Sequence, residues 1–171
     1  MTDSKTDNSL TVLFLCTGNT CRSPLAAALA QRKFGAGGFQ AVSAGIRAVP
    51  GQSASSGSVL LAQEYGVSLT EHVSRMLTPE LTRQVHWIIG MTRSHVAQLK
   101  RLLTDNPVKI GLLALPGVDL ARADRTPDVE EVLDPFGGDA DTYQRMASQL
   151  DHFLDGWRDT FTTTSAPEEE R

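Results

Sequence analysis

The pattern of apolar and polar residues divides this chain into two kinds of segment, and the order of these segments predicts the fold. Short apolar runs typical of buried strands cover residues 11–15, 39–43, 85–90 and 108–114. Segments with helical character cover residues 24–34, 53–65, 78–84, 93–103 and 140–160. Strands that alternate with helices favour a parallel sheet covered on both faces. We therefore predict a three-layer α/β fold with a four-stranded parallel sheet and helices on both sides.

Local signals place several helix boundaries. Ser53 is a candidate N-cap of the second helix, and Gly66 follows its end. Thr78, Pro79 and Glu80 fit the N-cap and the first two positions of a short helix. In the last helix, apolar residues recur at helical spacing and are more typical of a core than of a functional site. These residues are Tyr143, Met146, Leu150, Phe153, Leu154 and Trp157.

Length and charge limit the class of protein. A chain of 171 residues suits one domain with a sizeable core. We assign that domain to residues 10–161 and expect disordered tails at 1–9 and 162–171, which are polar. A formal net charge of −4 argues against general nucleic-acid binding. Since the chain shows neither a membrane-length apolar stretch nor the pattern of a secretory signal, we expect a cytoplasmic protein.

The largest group of candidate functional residues lies between the first predicted strand and the first predicted helix. The segment reads Cys16-Thr17-Gly18-Asn19-Thr20-Cys21-Arg22-Ser23-Pro24. A tight loop before a helix N-terminus presents unpaired N–H groups, which bind anions and favour the thiolate form of a cysteine. The planar guanidinium of Arg22 matches two phosphoryl oxygens. The segment therefore predicts that Cys16 attacks phosphorus while Arg22 and the rest of the loop, residues 17–23, bind the phosphoryl group.

Individual loop positions fit this interpretation. Gly18 allows the turn, and Asn19 tolerates a left-handed conformation. Ser23 suits the N-cap and can donate its hydroxyl hydrogen to the thiolate, and Pro24 suits the first helical position. The alternative is a buried core cysteine followed by an incidental turn. It is less favoured because each loop position has a physical role of its own.

The number and position of the cysteines argue against two further kinds of site, a disulfide scaffold and a metal centre. The chain contains two cysteines, Cys16 and Cys21, and both lie in this loop. Two cysteines so placed do not form a disulfide scaffold, and no Cys/His spacing provides a metal site. We therefore expect neither a metal nor a cofactor.

The pattern Cys-x5-Arg-Ser-Pro after an N-terminal strand resembles the phosphate loop of the low-molecular-weight protein-tyrosine phosphatase family. The threonine at position 20 resembles the protein arginine phosphatase branch, since tyrosine-directed members more often carry a larger β-branched aliphatic residue there. The resemblance covers residues 11–160 and implies a cysteinyl-phosphate intermediate, a phosphorylated protein as substrate, and a monomer. Arsenate reductases of similar fold use further cysteines, which this chain lacks.

The resemblance also identifies a proton donor and a second group of residues. Asp134, in Leu133-Asp134-Pro135-Phe136-Gly137-Gly138, matches the family's general-acid loop, although by itself it reads equally well as an ordinary Asp-Pro turn. Ser43 and His72 match positions that brace the loop asparagine, here Asn19. Otherwise they are a strand-end serine and a surface histidine. Cys21 is either a redox partner that forms a reversible disulfide with Cys16 or a small buried residue.

The nature of the substrate stays open between several classes. We favour protein phosphoarginine because of Thr20 and because Phe136 follows Asp-Pro where tyrosine phosphatases of the family typically carry tyrosine. Protein phosphotyrosine is the alternative. The segment 46–50 lacks the aromatic residue expected in a phosphotyrosine pocket, yet Arg47 would repel a cationic substrate unless it points outward. A small-molecule phosphatase is a further alternative, whereas a phosphoprotein-binding module would need no general acid.

Some polar residues receive no role from the sequence. His86, His95 and His152 have no context that indicates a function. The segment 116–131, rich in Asp and Arg, either borders the substrate entrance or only connects a strand to the acid loop.

Overall fold

A computed structural model describes residues 9–163. The strands are β1 (Leu10–Cys16), β2 (Phe39–Gly45), β3 (Trp87–Gly90) and β4 (Lys109–Leu112). The helices are α1 (Arg22–Phe34), α2 (Ser56–Glu64), α3 (Pro79–Arg83), α4 (Arg93–Leu102), α5 (Ala140–Asp155) and α6 (Arg158–Thr163). Apart from Ser9 and the end of α6, the expected disordered tails lie outside the described residues.

The four strands form one parallel sheet in the order β2-β1-β3-β4. Strand β1 is central, and Leu13 pairs with Val42 on one side and Ile88 on the other. Residues 12–16 of this strand are all buried, as expected for a parallel strand covered on both faces. The predicted fold class is therefore confirmed.

Alternate residues of the sheet enter two apolar clusters, one on each face. Phe14 packs in a cluster that contains residues of α1, α5 and α6. Leu13 packs in the other cluster with residues of α4. Successive side chains of a strand point to opposite faces of the sheet, so neighbouring residues of β1 pack against opposite helical layers. Because all four strands point the same way, their carboxyl ends lie at one edge, where ligands of such sheets bind.

The prediction of a single helix over residues 140–160 is wrong, because the structure has two helices there. Helix α5 ends at Asp155, and α6 begins at Arg158. Between them Gly156 lies so close to Pro116 that a Cβ atom at 156 would be 2.6 Å from Pro116 Cγ. The turn places the indole of Trp157 in the core, where Nε1 donates a hydrogen bond to Leu113 O at 2.9 Å. Burial of this indole with a satisfied N–H explains the break.

Three other local predictions also need correction. Helix α1 already begins at Arg22, after Cys21, so Ser23 is not its N-cap and Pro24 is its third residue. The N-cap of α2 is Ser55, whereas Ser53 forms an isolated bridge with Val73. These differences arise because Ser23 and Ser53 have partners elsewhere in the fold. The cap of α3 is confirmed, since Thr78 Oγ1 accepts from Leu81 N at 3.2 Å.

Within residues 9–163, no helix is both long enough and apolar enough to cross a membrane.

Candidate active site

The loop of residues 16–22 joins the carboxyl end of the central strand to α1 and borders a cavity of about 280 Å³. The lining combines the loop, one wall from the segment after β2 and one from the predicted acid loop. These residues are Cys16, Thr17, Gly18, Thr20, Cys21, Arg22, Arg47, Val49, Gln52, Asp134 and Phe136. A larger groove of about 580 Å³, beside α3 and the end of α4, contains none of these residues. The predicted nucleophile, cation and acid therefore meet at one cavity.

Cys16 lies at the base of this cavity with its thiol almost completely buried. Ser23 Oγ is 2.9 Å from Cys16 Sγ. Asn19 Nδ2 donates to the same hydroxyl oxygen at 2.9 Å, which leaves the hydroxyl hydrogen for another acceptor. Ser23 Oγ can also donate to Ala44 O at 3.4 Å, but a thiolate has no hydrogen to give, so Ser23 would be the donor of the shorter hydrogen bond to an ionised Cys16. The Ser23 hydroxyl is therefore placed to give a hydrogen bond to the sulfur atom.

Asn19 is the one described residue other than glycine with a positive φ, at 56°. Its side chain is fully buried, donates from Nδ2 to Ser43 Oγ at 3.0 Å and accepts at Oδ1 from Arg75 N at 3.0 Å. His72 Nε2 lies 2.7 Å from Asn19 O. The structure thus brings Ser43 and His72 to Asn19, and these contacts can hold the left-handed backbone that shapes the loop.

Close backbone packing supports the same loop. Gly45, at the end of β2, faces Thr17 O, and a Cβ atom at 45 would lie 2.6 Å from that oxygen. The neighbouring amide of Ile46 donates to Cys16 O at 2.9 Å, and Arg47 N donates to Thr17 O at 3.0 Å. The segment that follows the edge strand β2 therefore supports the loop of residues 16–22 through backbone hydrogen bonds.

Arg22 links the phosphate loop to the acid loop. Its side chain is buried, and Nη1 donates to Val132 O at 3.4 Å while Nη2 lies 3.5 Å from Asp134 Oδ2. Val132 N donates to Met91 O at 3.2 Å, and Leu133 N donates to Gln149 Oε1 at 2.8 Å. These bonds fix the backbone directly before Asp134.

The acid loop itself turns at Asp134. Oδ1 accepts from Phe136 N at 3.1 Å, and Gly137 has a φ of 73°, which favours glycine. Asp134 is 58 % exposed and Phe136 is 82 % exposed, so both side chains stand at the mouth of the cavity. An exposed aromatic ring beside a carboxylate suits contact with a bound side chain.

The part of the cavity lining that comes from the segment after β2 consists of Arg47, Val49 and Gln52. Arg47 is exposed but lines the cavity, so it does not point wholly away from the site.

The segment 116–131 forms connections rather than a wall of this cavity. Asp119 Oδ1 accepts from Ile110 N at 3.1 Å, and Arg93 pairs with Asp128 and Glu131 at 3.2 and 3.1 Å.

Two residues near the loop were missed by the sequence analysis. His95 Nε2 lies 3.0 Å from Thr17 Oγ1, although no role was predicted for His95. Burial, followed by the Arg22 guanidinium, lowers the pKa of His95 to about 4, against an opposing effect of the Asp134 and Glu131 carboxylates. The available signal was the position of His95 in the first turn of the predicted helix 93–103, which follows the predicted strand 85–90 at the edge where parallel sheets bind ligands.

Tyr143 is the second of these residues. It was predicted to belong to the core and is indeed half-buried, yet its hydroxyl lies 3.6 Å from Cys21 Sγ. Burial raises the pKa of Tyr143. Its ring occupies the space beside Gly57, where a Cβ atom would lie 2.6 Å from it. Nothing in the sequence joins positions that are 122 residues apart.

Among the described residues, no three His, Cys, Asp or Glu side chains are grouped in a way that could hold a metal ion.

Comparison with known proteins identifies the family. The family model described as "Low molecular weight phosphotyrosine protein phosphatase" matches residues 11–166. A probable low molecular weight protein-tyrosine-phosphatase, AmsI from Erwinia amylovora, is 31% identical over 85% of this chain and 93% of its own length. A protein-arginine-phosphatase from Bacillus subtilis is 32% identical over 84% of this chain and 91% of its own.

Solved structures agree with this assignment. The YwlE arginine phosphatase from Geobacillus stearothermophilus has a TM-score of 0.79, 27% identity, and coverage of 95% of this chain and 99% of its own. A YwlE variant with a phosphorylated active-site serine has a TM-score of 0.74, 29% identity, and coverage of 88% and 95%. The chain therefore belongs to the low molecular weight phosphotyrosine protein phosphatase family. It is a cysteine-based phosphatase, a hydrolase that acts on phosphorylated protein.

Proposed function

We propose that this phosphatase removes the phosphoryl group from protein phosphoarginine, with Cys16 as nucleophile, Arg22 as phosphoryl-binding cation and Asp134 as general acid. The observation that carries the mechanism is the convergence of these three side chains on one cavity. The thiol of Cys16 lies at its base, the Arg22 guanidinium beside it and the Asp134 carboxylate at its mouth.

The first chemical step is transfer of the phosphoryl group to sulfur. The Cys16 thiolate attacks phosphorus in line, while Arg22 and the amides of residues 17–23 hold the nonbridging oxygens. The P–N bond to the substrate guanidinium breaks, and Asp134 gives a proton to the departing nitrogen. A relative with a phosphorylated active-site serine supports a covalent intermediate at this position.

The second step regenerates the enzyme. Asp134, now a carboxylate, takes a proton from a water molecule that attacks the cysteinyl phosphate. The P–S bond breaks, inorganic phosphate leaves, and the Cys16 thiolate returns. Ser23, at 2.9 Å from the sulfur, stabilises the thiolate as nucleophile and as leaving group. Arg22 and the loop amides balance the negative charge of the phosphoryl group, so the scheme requires no metal. A single copy of the chain contains every group that the scheme uses.

The preference for phosphoarginine rests on two residues at the cavity. Thr20 lines it with a short, polar side chain. Phe136, rather than tyrosine, follows Asp134-Pro135 and stands almost fully exposed at the mouth. A threonine hydroxyl can contact a guanidinium group or orient water, whereas a branched aliphatic side chain would only pack against an aromatic ring. Relatives named as arginine phosphatases support the same preference.

Protein phosphotyrosine is the second candidate, and Arg47 favours it. A guanidinium on the cavity wall repels a cationic substrate side chain but not a neutral phenol. AmsI, similar in identity and coverage, is named as a probable tyrosine phosphatase.

The deciding experiment compares kcat/KM on one peptide that carries either phosphoarginine or phosphotyrosine. The wild-type chain is expected to prefer phosphoarginine, and Thr20→Ile is expected to reverse that preference, because isoleucine removes the hydroxyl and adds apolar surface. Thr70→Ile, at an exposed position away from the cavity, is the matched control. A phosphotyrosine preference that Thr20→Ile leaves unchanged would overturn the substrate assignment.

The covalent mechanism is tested separately by Cys16→Ser. Turnover is expected to be lost, while inorganic phosphate still binds to Arg22 and the loop amides. Normal turnover by this variant would contradict the mechanism whatever the substrate.

A further inference from the structure

His95 lies against the phosphate loop from a different part of the chain. It is on α4, 78 residues after Thr17, and only 3% of it is exposed. Its approach depends on Gly90 at the end of β3, where a Cβ atom would lie 2.9 Å from His95 Cβ. The histidine is therefore held in place by close packing.

The hydrogen bonds at His95 determine which ring nitrogen carries the proton. Thr92 N donates to Nδ1 at 3.2 Å, so Nδ1 is an acceptor and has no hydrogen. The neutral imidazole must then carry its hydrogen on Nε2, the atom that lies 3.0 Å from Thr17 Oγ1. His95 is thus the donor in this pair, and Thr17 is the acceptor.

This assignment holds through the neutral pH range. Burial and the Arg22 guanidinium lower the pKa of His95 to about 4, while the Asp134 and Glu131 carboxylates act in the opposite direction. The ring is therefore neutral when the phosphatase works. Since Thr17 Oγ1 accepts the hydrogen of His95, its own hydroxyl hydrogen is available to another acceptor. Thr17 is exposed and lines the same cavity as Cys16.

We propose that His95 is a positioning residue, which orients the Thr17 hydroxyl so that its hydrogen points into the cavity and binds an oxygen of the phosphoryl group. Thr17 then contributes its side chain as well as its backbone amide to the phosphate site. The inference rests on the proposed function, because the phosphoryl group is its ligand. It can nevertheless be tested by binding alone, without turnover.

The experiment measures the dissociation constant of inorganic phosphate for the full chain by isothermal titration calorimetry. Thr17→Val removes the hydroxyl and is expected to weaken binding about tenfold, the effect of one hydrogen bond to a charged group. Thr17→Ser keeps the hydroxyl and is expected to stay near wild type. His95→Leu removes the donor and is expected to cause a similar loss, whereas His95→Gln, which retains an N–H donor, is expected to restore most of the affinity.

A double-mutant comparison separates positioning from general damage to the fold. His95→Leu is expected to weaken phosphate binding in the wild-type background and to have no further effect in the Thr17→Val background. Thr78→Ala is the matched control. It removes a threonine N-cap hydroxyl that accepts from Leu81 N at 3.2 Å on α3, away from the cavity, so Tm should fall while phosphate affinity stays unchanged.

Two results would overturn the inference. One is phosphate binding by Thr17→Val equal to that of wild type, and the other is an equal effect of His95→Leu in both backgrounds. Failure of the substrate assignment would look different, because the wild-type chain would bind phosphate with the expected coupling of Thr17 and His95 but would not hydrolyse phosphoarginine peptides.

Discussion

The guanidinium of Arg22 and the carboxylate of Asp134 are in contact, with 3.5 Å between Nη2 and Oδ2. One group is proposed to hold the phosphoryl oxygens and the other to protonate the leaving group. Their contact holds the acid loop next to the phosphate loop, so the two groups already have a fixed arrangement relative to each other. Catalytic groups that are arranged in advance lose little free energy in reorganisation during the reaction.

Asp134→Asn tests the role of the acid directly. We expect kcat/KM on the phosphopeptide substrate to fall about 10²- to 10³-fold, a typical contribution of general acid catalysis. The loss on p-nitrophenyl phosphate should be much smaller, because p-nitrophenolate leaves readily without a proton. Steady-state kinetics on both substrates measures the difference, with the exposed Asp141→Asn as control. Equal losses on the two substrates would assign Asp134 to binding rather than to proton transfer.

The contacts of Asn19 predict a graded series of stabilities. Ser43→Ala removes one acceptor of Asn19 Nδ2, and the free energy of unfolding should fall by about 1 kcal/mol. Asn19→Ala removes all side-chain contacts and forces alanine into a left-handed conformation, which should cost about 3 kcal/mol or more.

Asn19→Gly is the matched variant in this series, because glycine adopts the same φ without strain. The difference between the alanine and glycine variants, about 1 kcal/mol, isolates the cost of the backbone conformation. Urea denaturation measures all three variants. If alanine and glycine destabilise the protein equally, the loop conformation is not strained at this residue.

The lowered pKa of His95 predicts a pH dependence of stability. The ordinary pKa of histidine is 6.5, and that of His95 in the folded protein is about 4, so the unfolded chain binds a proton that the folded chain does not. The stabilising contribution is complete above pH 6.5 and is lost as the pH falls towards 4, with a slope of at most about 1.4 kcal/mol per pH unit.

Urea denaturation at pH 7 and pH 5 measures this slope. His95→Gln is expected to be less sensitive to pH than the wild-type chain over this interval. His152→Gln, at an exposed histidine, should keep the wild-type slope. The same slope in the His95→Gln variant and the wild-type chain would show that His95 takes up its proton at an ordinary pH.

Cys21 is expected to protect the nucleophile from irreversible oxidation. Both cysteines are free thiols, and both line the cavity. Peroxide would convert Cys16 to a sulfenic acid, which condenses with the Cys21 thiol to form a disulfide and water. Activity of the wild-type chain should then return on addition of dithiothreitol. Cys21→Ser should lose activity permanently, because its sulfenic acid continues to the sulfinic form. The same recoverable fraction in both proteins would remove Cys21 from this role.

Features set by neighbouring residues could be predicted from the sequence itself, whereas long-range contacts were predicted only where the family resemblance supplied them, as for Ser43 and His72 at Asn19. The strands followed from apolar runs, the α3 cap from Thr78 and Pro79, and the loop from the spacing of Cys16 and Arg22. The contact of His95 with Thr17 depends on two parallel strands ending at the same edge, and that of Tyr143 with Cys21 depends on a helix 122 residues away. The break at Gly156 depends on Pro116, which local periodicity does not report.

The two tryptophans of the chain, Trp87 and Trp157, give the protein a built-in optical probe. Their rings meet edge to face at 5.2 Å and 83°, and both are buried in the same apolar cluster. Neither lines the cavity at Cys16. Their emission spectrum and their exciton signal in circular dichroism therefore report whether β3 and the turn between α5 and α6 remain packed together. An inactive variant with unchanged tryptophan spectra has lost its chemistry and kept its fold.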